Sequence, residues 1–411
     1  NEVLMAEQHG ARDRYLDLVE GEGILKSFFK VIKYALGGQG LERVFITGVS
    51  PVALNDTTSG FNIVKNISLE PDLHELCGFR EDEIAAVLTQ VGHVCDFSAD
   101  QIQEALTMMR TFYNGYRFVA EQPTLVYNPT LVLYFLEHLQ NTCHYPEEML
   151  DDNLAMDHQK LAYIAHLPHG KQAIATSLNE PQPLALFSMA KRFGVHDIFH
   201  DDKDAPFLAS LLYYLGVLTL GGHTPQGKLL LPIPNLVVRS LYVERMRTLL
   251  LPKGTSYEAV EVADDFYITG NMGAVCTFIE QTYFTVFDNR DYRWTNELSI
   301  KIIFLTLLYQ SKLYIMDSEP ALQREYADLI MLLKPDMRKY ELLDFLMEFK
   351  YVSLAEVGKS GEQVRNLNQK ELATLPAVAK KQAQAQTKLA GYRATLHARY
   401  GDKLRLRCFS V

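Results

Sequence analysis

Apolar residues recur three and four positions apart over much of the chain, the spacing that places them on one face of a helix. Gly37-Gly38 ends the first such segment, and Asn128-Pro129 opens another, because glycine terminates helices and proline suits their first turn. Asp100 is a suitable N-cap for a third. The predicted helices cover residues 16–36, 81–91, 100–113, 130–139, 235–250, 257–283, 297–309 and 377–390.

Short continuous apolar runs predict buried strands between these helices. Residues 43–48 contain β-branched side chains and are typical of a strand in a parallel sheet. Residues 325–333 and 343–352 form two further runs, separated by a proline-containing turn. Because alternate side chains of a strand share a face, Glu348 and Lys350 are predicted to point the same way.

Residues 207–233 combine an apolar helix, a strand, a glycine-rich turn and a second strand, and the helix over 235–250 follows. This order resembles a winged-helix unit. The segment from 207 to 254 contains only two lysines, Lys228 and Lys253. A packing module that makes no DNA contact is therefore favoured over a DNA-binding one.

The length of 411 residues suggests two or three domains. Changes in composition near 143–157 and near 251–254 divide the chain into segments 1–145, 146–253 and 254–411. The 48% of apolar and 22% of charged residues are typical of globular proteins and exclude general disorder. No stretch approaches about 20 consecutive apolar residues, so we expect no membrane span.

Charge is distributed unevenly along the chain, whose net charge is −10. The final segment, 358–411, contains eleven Lys and Arg against three Asp and Glu, a net charge of +8. A basic tail on an acidic body is typical of a phosphate-facing surface, so a nucleic-acid partner is not excluded. The five cysteines are odd in number, widely spaced and without a C-x-x-C pair. This pattern argues against a disulfide framework or a thiolate zinc site and favours a reducing, intracellular compartment.

Three charged residues in the two later strand runs indicate chemistry. Pairing of these strands would bring Asp328 and Glu348 together, and their repulsion calls for a cation. Carboxylate oxygens are the ligands that Mg²⁺ prefers, and Mn²⁺ is the alternative ion. Lys350 would position an attacking water or stabilise charge on a phosphate, and Glu297 would add a ligand directly or through water. A Glu-x-Lys pair alone is usually a surface ion pair, so the inference depends on the complete order of residues.

That order, a helix Glu, a strand Asp, a strand Glu-x-Lys and then a basic helix, resembles the PD-(D/E)XK nuclease superfamily over residues 257–411. The sequence departs from the pattern at Ala327, where a proline often precedes the first acid. The resemblance implies a site formed by Asp328, Glu348, Lys350, Glu297, Gln386 and Tyr392, with metal held by the three acids. The basic residues of the last helix, Lys388 among them, would contact phosphates or form a solvated face.

Upstream strings resemble a more particular family, AAA-ATPase-like proteins that end in a PD-(D/E)XK nuclease domain. They are VFITGVSPVALNDTTSGFN, FYNGYRF, VYNPTLVLYFL and FLASLLYYLGVLTL, in this order. The family implies a P-loop ATPase core, but no G-x-x-x-x-G-K-[ST] occurs and the chain is expected to begin after Walker B. ATP hydrolysis is therefore not expected, and apolar surface should be exposed in the first ~140 residues. Thr47 would hold an ATP-sensor-like position at the end of the strand over 43–48, or be a core residue.

The expected fold is multidomain α/β. It comprises a partial P-loop ATPase sheet with a helical lid, a winged-helix-like middle and a restriction-endonuclease-like C-terminal domain. The expected function is hydrolysis of nucleic acid with Mg²⁺ or Mn²⁺, and DNA is the favoured substrate. In a full-length form this hydrolysis would be coupled to ATP turnover. No membrane partner is expected, and a homo-oligomer through the ATPase module is compatible with the resemblance.

Two alternatives stay open. The nuclease fold would serve only to bind nucleic acid or protein within an ATP-driven switch, or the chain would be an inactive structural fragment. Separately, His196 and His200 have the i, i+4 spacing of metal ligands. No third ligand has a matching spacing, and a solvated helix end is the favoured interpretation.

Overall fold

The computed structural model describes residues 17, 23–38, 40–48, 63, 65–150, 156–179, 182–190, 204–286, 297–317 and 328–411. The chain divides into two units, Asn1–Tyr242 and Val243–Val411. Within the described residues, helices predominate and the strands form two small sheets, so the fold is mixed α/β. No described helix has both the length and the apolar character needed to cross a membrane. The division into three segments stays a prediction.

The first unit is mostly helical, and its predicted helix starts are largely confirmed. Asn128 caps one helix by accepting hydrogen bonds from the N–H groups of Thr130 and Leu131. Ser98, and not Asp100, caps the preceding helix, because its hydroxyl accepts from the N–H of Gln101. The helices are α1 (Ile24–Leu36), α2 (Glu81–Val94), α3 (Ala99–Tyr113), α4 (Pro129–Thr142), α5 (Met156–His166), α6 (Gly170–Ser177) and α7 (Ala205–Tyr214). Helix α8 (Leu236–Leu250) spans the boundary between the units.

The strand predicted over 43–48 is wrong. These residues are irregular, Phe45 is 64% exposed and Thr47 is exposed as well. A buried parallel strand needs neighbours for its N–H and C=O groups, and none of the described strands pairs with this segment. The described residues therefore do not form the partial P-loop sheet, and the strand end predicted for Thr47 is not there. Four apolar side chains of α1 are mostly exposed: Ile24, Phe28, Val31 and Tyr34.

Cys95 and Cys143 form a disulfide with their Cα atoms 5.4 Å apart, which corrects the expectation drawn from the cysteine pattern. The two residues follow the last turns of α2 and α4, which pack against each other. Five cysteines can include one disulfide pair, so an odd count does not exclude a disulfide. A separation of 48 residues in the sequence also gives no indication that the ends of these two helices meet. Cys77, Cys276 and Cys408 are free thiols.

A small sheet follows α6. Strand β1 (Leu184–Leu186) pairs antiparallel with β2 (Leu229–Leu231), with Leu184 opposite Leu231. Gly221 donates its N–H to the carbonyl of Leu230, and the Leu230 N–H donates to the carbonyl of Gly222, each at 2.8 Å. The second predicted strand is therefore present as β2, whereas the strand predicted before the turn is wrong, because residues 217–222 are irregular and β2 pairs with β1 instead. His196 and His200 lie outside the described residues.

The second unit is built on a four-stranded sheet in the order β3-β4-β5-β6. The strands are β3 (Tyr314–Asp317), β4 (Leu329–Leu333), β5 (Asp344–Glu348) and β6 (Leu406–Ser410). Strand β4 is antiparallel to both β3 and β5, and β6 runs parallel to β5. The helices are α9 (Ser256–Thr269), α10 (Met272–Val286), α11 (Glu297–Leu308), α12 (Leu354–Val357), α13 (Gly361–Arg365), α14 (Gln369–Thr374) and α15 (Pro376–Tyr400).

Helices cover both faces of this sheet. Phe345 of β5 stacks on Phe266 of α9 with ring centroids 4.2 Å apart, and Phe349 packs against Phe304 of α11. The opposite face carries α15. Its buried cluster comprises Ile330, Leu332, Leu346, Leu389, Tyr392, Leu396 and Leu404.

Asp344, which is fully buried at the start of β5, ties one end of the sheet together. Its carboxylate accepts hydrogen bonds from the N–H groups of Leu333 and Arg405, each at 2.9 Å, and from the guanidinium of Arg338. These contacts connect the end of β4, the start of β5 and the approach to β6. They fix the register that determines which residues meet at the other end.

Candidate functional site

The β4–β5 pair brings two carboxylates to one end of the sheet. Leu329 pairs with Met347, so the next position places Asp328 opposite Glu348. Asp328 Oδ2 also accepts a hydrogen bond from the N–H of Phe349 at 2.8 Å. The predicted meeting of the two acids is therefore a consequence of strand register.

Glu348 is fully buried, and its side chain points to the α15 face of the sheet. Alternation explains the direction, because Leu346 packs on α15 while Phe345 and Phe349 pack on the other face. A buried carboxylate is destabilising unless cations and hydrogen bonds compensate it. The cations around Glu348 provide that compensation.

Lys350 lies between the two acids. Its Nζ is 2.7 Å from Glu348 Oε1 and 4.0 Å from Asp328 Oδ2, and it donates to the Phe349 carbonyl at 2.8 Å. Its side chain is 15% exposed. Strand β5 ends at Glu348, yet the predicted common direction of Glu348 and Lys350 is confirmed by this contact.

Two further lysines reach the same carboxylates. Lys388 Nζ of α15 lies 2.9 Å from Glu348 Oε1, and its side chain is 46% exposed. Lys301 Nζ of α11 lies 3.7 Å from Asp328 Oδ1, and its side chain is only 7% exposed. Partial burial acts to lower the pKa of Lys388, but the hydrogen bond and charge of Glu348 outweigh it, so the pKa is raised. Lys388 is therefore a stable cation at this site.

Sequence reasoning named Lys388 only as one of several basic residues and missed Lys301. A signal existed for Lys301, which follows Glu297 by one helical turn and therefore shares its side of α11. Lys388 directly precedes Leu389, which belongs to the buried stripe of α15. Its contact with Glu348 can be predicted only once the packing of this stripe against the sheet is known.

The three remaining predicted residues lie in different environments. Glu297 begins α11, and its Oε2 lies 3.4 Å from the N–H of Tyr351, the residue after Lys350. Tyr392 is 3% exposed within the core of the α15 face, one helical turn after Lys388. Gln386 is exposed on α15. On this helix it is Lys388, and not Gln386, that contacts a carboxylate of the site.

The donor set fits a divalent cation that is held only partly by protein. Glu348 Oε2 is buried and has no hydrogen-bond partner, while Oε1 of the same carboxylate contacts two lysines. Among the described residues, no three His, Cys, Asp or Glu side chains are grouped closely enough to hold a metal by themselves. Mg²⁺ is often held by one or two carboxylates, with water and substrate phosphate completing its shell. Asp328 and Glu348 meet that lower requirement.

No protein-family model matches the chain, and neither a curated protein nor a solved structure matches it. The functional inference therefore depends on the site itself.

Proposed function

We propose that the second unit hydrolyses phosphodiester bonds of nucleic acid with Mg²⁺ or Mn²⁺, and that DNA is its favoured substrate. One observation carries the proposal. Two carboxylates from neighbouring strands lie within 4.0 Å of Lys350 Nζ, and Glu348 leaves one buried oxygen without a partner. The residues also occur in the order that the PD-(D/E)XK resemblance implies.

Each residue has a distinct role in this proposal. Asp328 and Glu348 would hold the divalent ion, which when bound polarises the phosphodiester and lowers the pKa of a coordinated water. Lys350, held by Glu348 and the Phe349 carbonyl, would orient the attacking water and stabilise negative charge on the phosphate. Glu297 would support the ion through water from the start of α11. Tyr392 would position α15, since it is part of the helix core.

The remainder of the chain would regulate access. From the AAA-ATPase-like resemblance alone, we propose that ATP turnover by a P-loop module gates the nuclease site. The paired segments around the 221–227 turn would form a winged-helix-like packing module in the middle of the protein.

Cleavage of single- and double-stranded DNA tests this proposal. Wild type should cleave with Mg²⁺ or Mn²⁺, and EDTA should abolish cleavage. Asp328→Ala and Lys350→Ala should each reduce the rate by about 100-fold or more. Lys370→Ala is the control, because Lys370 is exposed on α14 and takes part in none of the ion pairs described for Asp328 and Glu348. Cleavage that survives both site substitutions would contradict the proposal.

One observation favours the alternative of a nucleic-acid-binding module without catalysis. Lys301, Lys350 and Lys388 compensate Asp328 and Glu348 without any metal. A module of this kind would bind DNA in the presence of EDTA and would not cleave it with either ion. Its unfolding temperature would also be independent of Mg²⁺, whereas a metal-binding site would be stabilised through its carboxylates.

A further inference from the structure

The charges of the site balance before any ligand binds. The described residues here include three carboxylates, Glu297, Asp328 and Glu348, and three lysines, Lys301, Lys350 and Lys388. A divalent cation approaching this set meets little net attraction, because the lysines already neutralise the acids. A phosphodiester would add the missing negative charge beside the same carboxylates.

The three lysines differ in what they can do for a ligand. Lys301 and Lys350 are 7% and 15% exposed, so both are enclosed by the protein. Lys388 is 46% exposed, and its Nζ forms an ion pair with Glu348 Oε1 at 2.9 Å. An ammonium has three donors, so Lys388 can keep Glu348 and still bind an oxygen that arrives from solvent. Among these lysines it is the one placed to contact a phosphate.

We propose that a divalent cation and a nucleic-acid phosphate bind this site cooperatively, and that Lys388 is the residue that couples them. The inference rests on the proposed nuclease function. Without substrate, the Lys388 charge opposes the cation at Glu348. A bound phosphate attracts Lys388 and also supplies ligand oxygens to the cation, in keeping with the habit of Mg²⁺ to combine few carboxylates with substrate phosphate. Binding of each ligand therefore raises the affinity of the site for the other, and thermodynamic linkage makes the two effects equal.

Calorimetry with Mn²⁺ tests the coupling directly. The titration is made with the protein alone and with a saturating short DNA whose linkages are phosphorothioates, which resist hydrolysis. Wild type should bind Mn²⁺ at least about fivefold more tightly in the presence of the DNA, the low end of ordinary coupling. Fluorescence anisotropy should show that Mn²⁺ strengthens DNA binding by the same factor.

Lys388→Gln should change the two affinities in opposite directions. It removes a positive charge beside Glu348, so Mn²⁺ alone should bind more tightly, while DNA alone should bind more weakly. The coupling factor should fall towards one. Lys388→Arg keeps the charge and should keep the coupling, and Lys370→Gln should alter neither affinity. A purely structural role for Lys388 would not move the two affinities in opposite directions.

The outcomes separate the two proposals. Absence of Mn²⁺ binding to wild type, with and without DNA, would overturn the metal-dependent function and this inference with it. Mn²⁺ binding that is equally tight with and without DNA would overturn the cooperative inference alone. Coupling that is unchanged in Lys388→Gln would show that another residue links the two ligands and would overturn the role given to Lys388.

Discussion

Lys388 donates to Oε1 of Glu348 at 2.9 Å, the same oxygen that accepts from Lys350 at 2.7 Å. The two oxygens of this buried carboxylate are therefore unequal, since Oε2 has no partner. One oxygen is held by lysines from the strand end and from α15, and the other is buried without a hydrogen-bond partner. A carboxylate held in this way has a fixed orientation and one oxygen free for a ligand, which is the property that a metal-binding residue needs.

Glu297→Gln tests whether the start of α11 contributes to the chemistry. The substitution keeps an acceptor for the Tyr351 N–H but removes the charge. We expect the cleavage rate to fall by about 10- to 100-fold, as for residues that support a metal through water or a hydrogen bond. The free energy of unfolding should change by less than about 0.5 kcal/mol.

Initial rates at several Mg²⁺ concentrations and urea unfolding curves measure the two effects. A rate equal to that of wild type would exclude Glu297 from the site. A large loss of stability would show that its role is structural.

Gly391→Ala probes the surface beside Lys388. Gly391 lies within α15, three residues after Lys388, and a Cβ built there meets no atom within 4 Å. Glycine inside a helix is less stable than alanine by about 1 kcal/mol, so the substitution should raise the free energy of unfolding by about that amount. We also expect weaker DNA binding, because the added methyl group occupies the space next to the proposed phosphate contact.

Ala390→Gly is the matched control on the exposed neighbouring position. It should lower the free energy of unfolding by about 1 kcal/mol and leave DNA affinity nearly unchanged. Urea unfolding and fluorescence anisotropy provide both measurements. Equal DNA affinity in Gly391→Ala and wild type would place the bound strand away from this turn of α15.

The sequence pattern was sufficient for the elements that carry the two acids. Apolar runs predicted β4 and β5, and their antiparallel pairing brings Asp328 opposite Glu348. Both elements are short, fully buried and separated by a turn, which makes their pattern distinct. The last strand, β6, was missed, because its burial alternates only weakly along a sequence that contains Arg407 and Cys408.

Contacts made across long sequence separations could not be predicted in the same way. The pairing of Cys95 with Cys143 depends on which helix ends meet, and the reach of Lys388 depends on how α15 packs against the sheet. The apolar run over 43–48 shows the opposite error, because it predicted a strand where none forms. Its composition is that of a strand, but among the described residues no sheet accepts it, and tertiary context overrides local propensity.

Removing the disulfide should destabilise the first unit. Cys95 and Cys143 close a loop with a sequence separation of 48 residues, so the cross-link restricts the unfolded chain substantially. The double substitution Cys95→Ser/Cys143→Ser should lower the free energy of unfolding by about 2–4 kcal/mol. Thermal unfolding with and without dithiothreitol should reproduce the effect in wild type.

Cys77→Ser is the control, because Cys77 is exposed and unpaired. It should unfold like wild type, with the same sensitivity to the reductant. A wild-type unfolding temperature that does not respond to dithiothreitol, together with an unchanged double variant, would show that the pair does not stabilise the protein.

Glu81 gives the first unit a pH-dependent contribution to stability. Its carboxylate accepts from Arg110 Nε at 2.9 Å and from the Tyr127 hydroxyl at 2.7 Å. Partial burial acts to raise the pKa of Glu81, but the hydrogen bonds from Arg110 and Tyr127 outweigh it and hold the pKa below its ordinary value. The contribution to stability is therefore complete above the pKa that Glu81 has in the unfolded chain. It is lost as the pH falls through the lower pKa that Glu81 has in the folded protein.

Glu81→Gln should remove this contribution, which we expect to be at most about 1 kcal/mol because the pair is partly exposed. The difference in unfolding free energy from wild type should be largest near neutral pH and should shrink as the pH falls below about 4. Urea unfolding across this range measures it, with Glu137→Gln as the control at an exposed position of α4. A difference that stays constant with pH would show that Glu81 acts through packing, since only an ionised carboxylate loses its advantage on protonation.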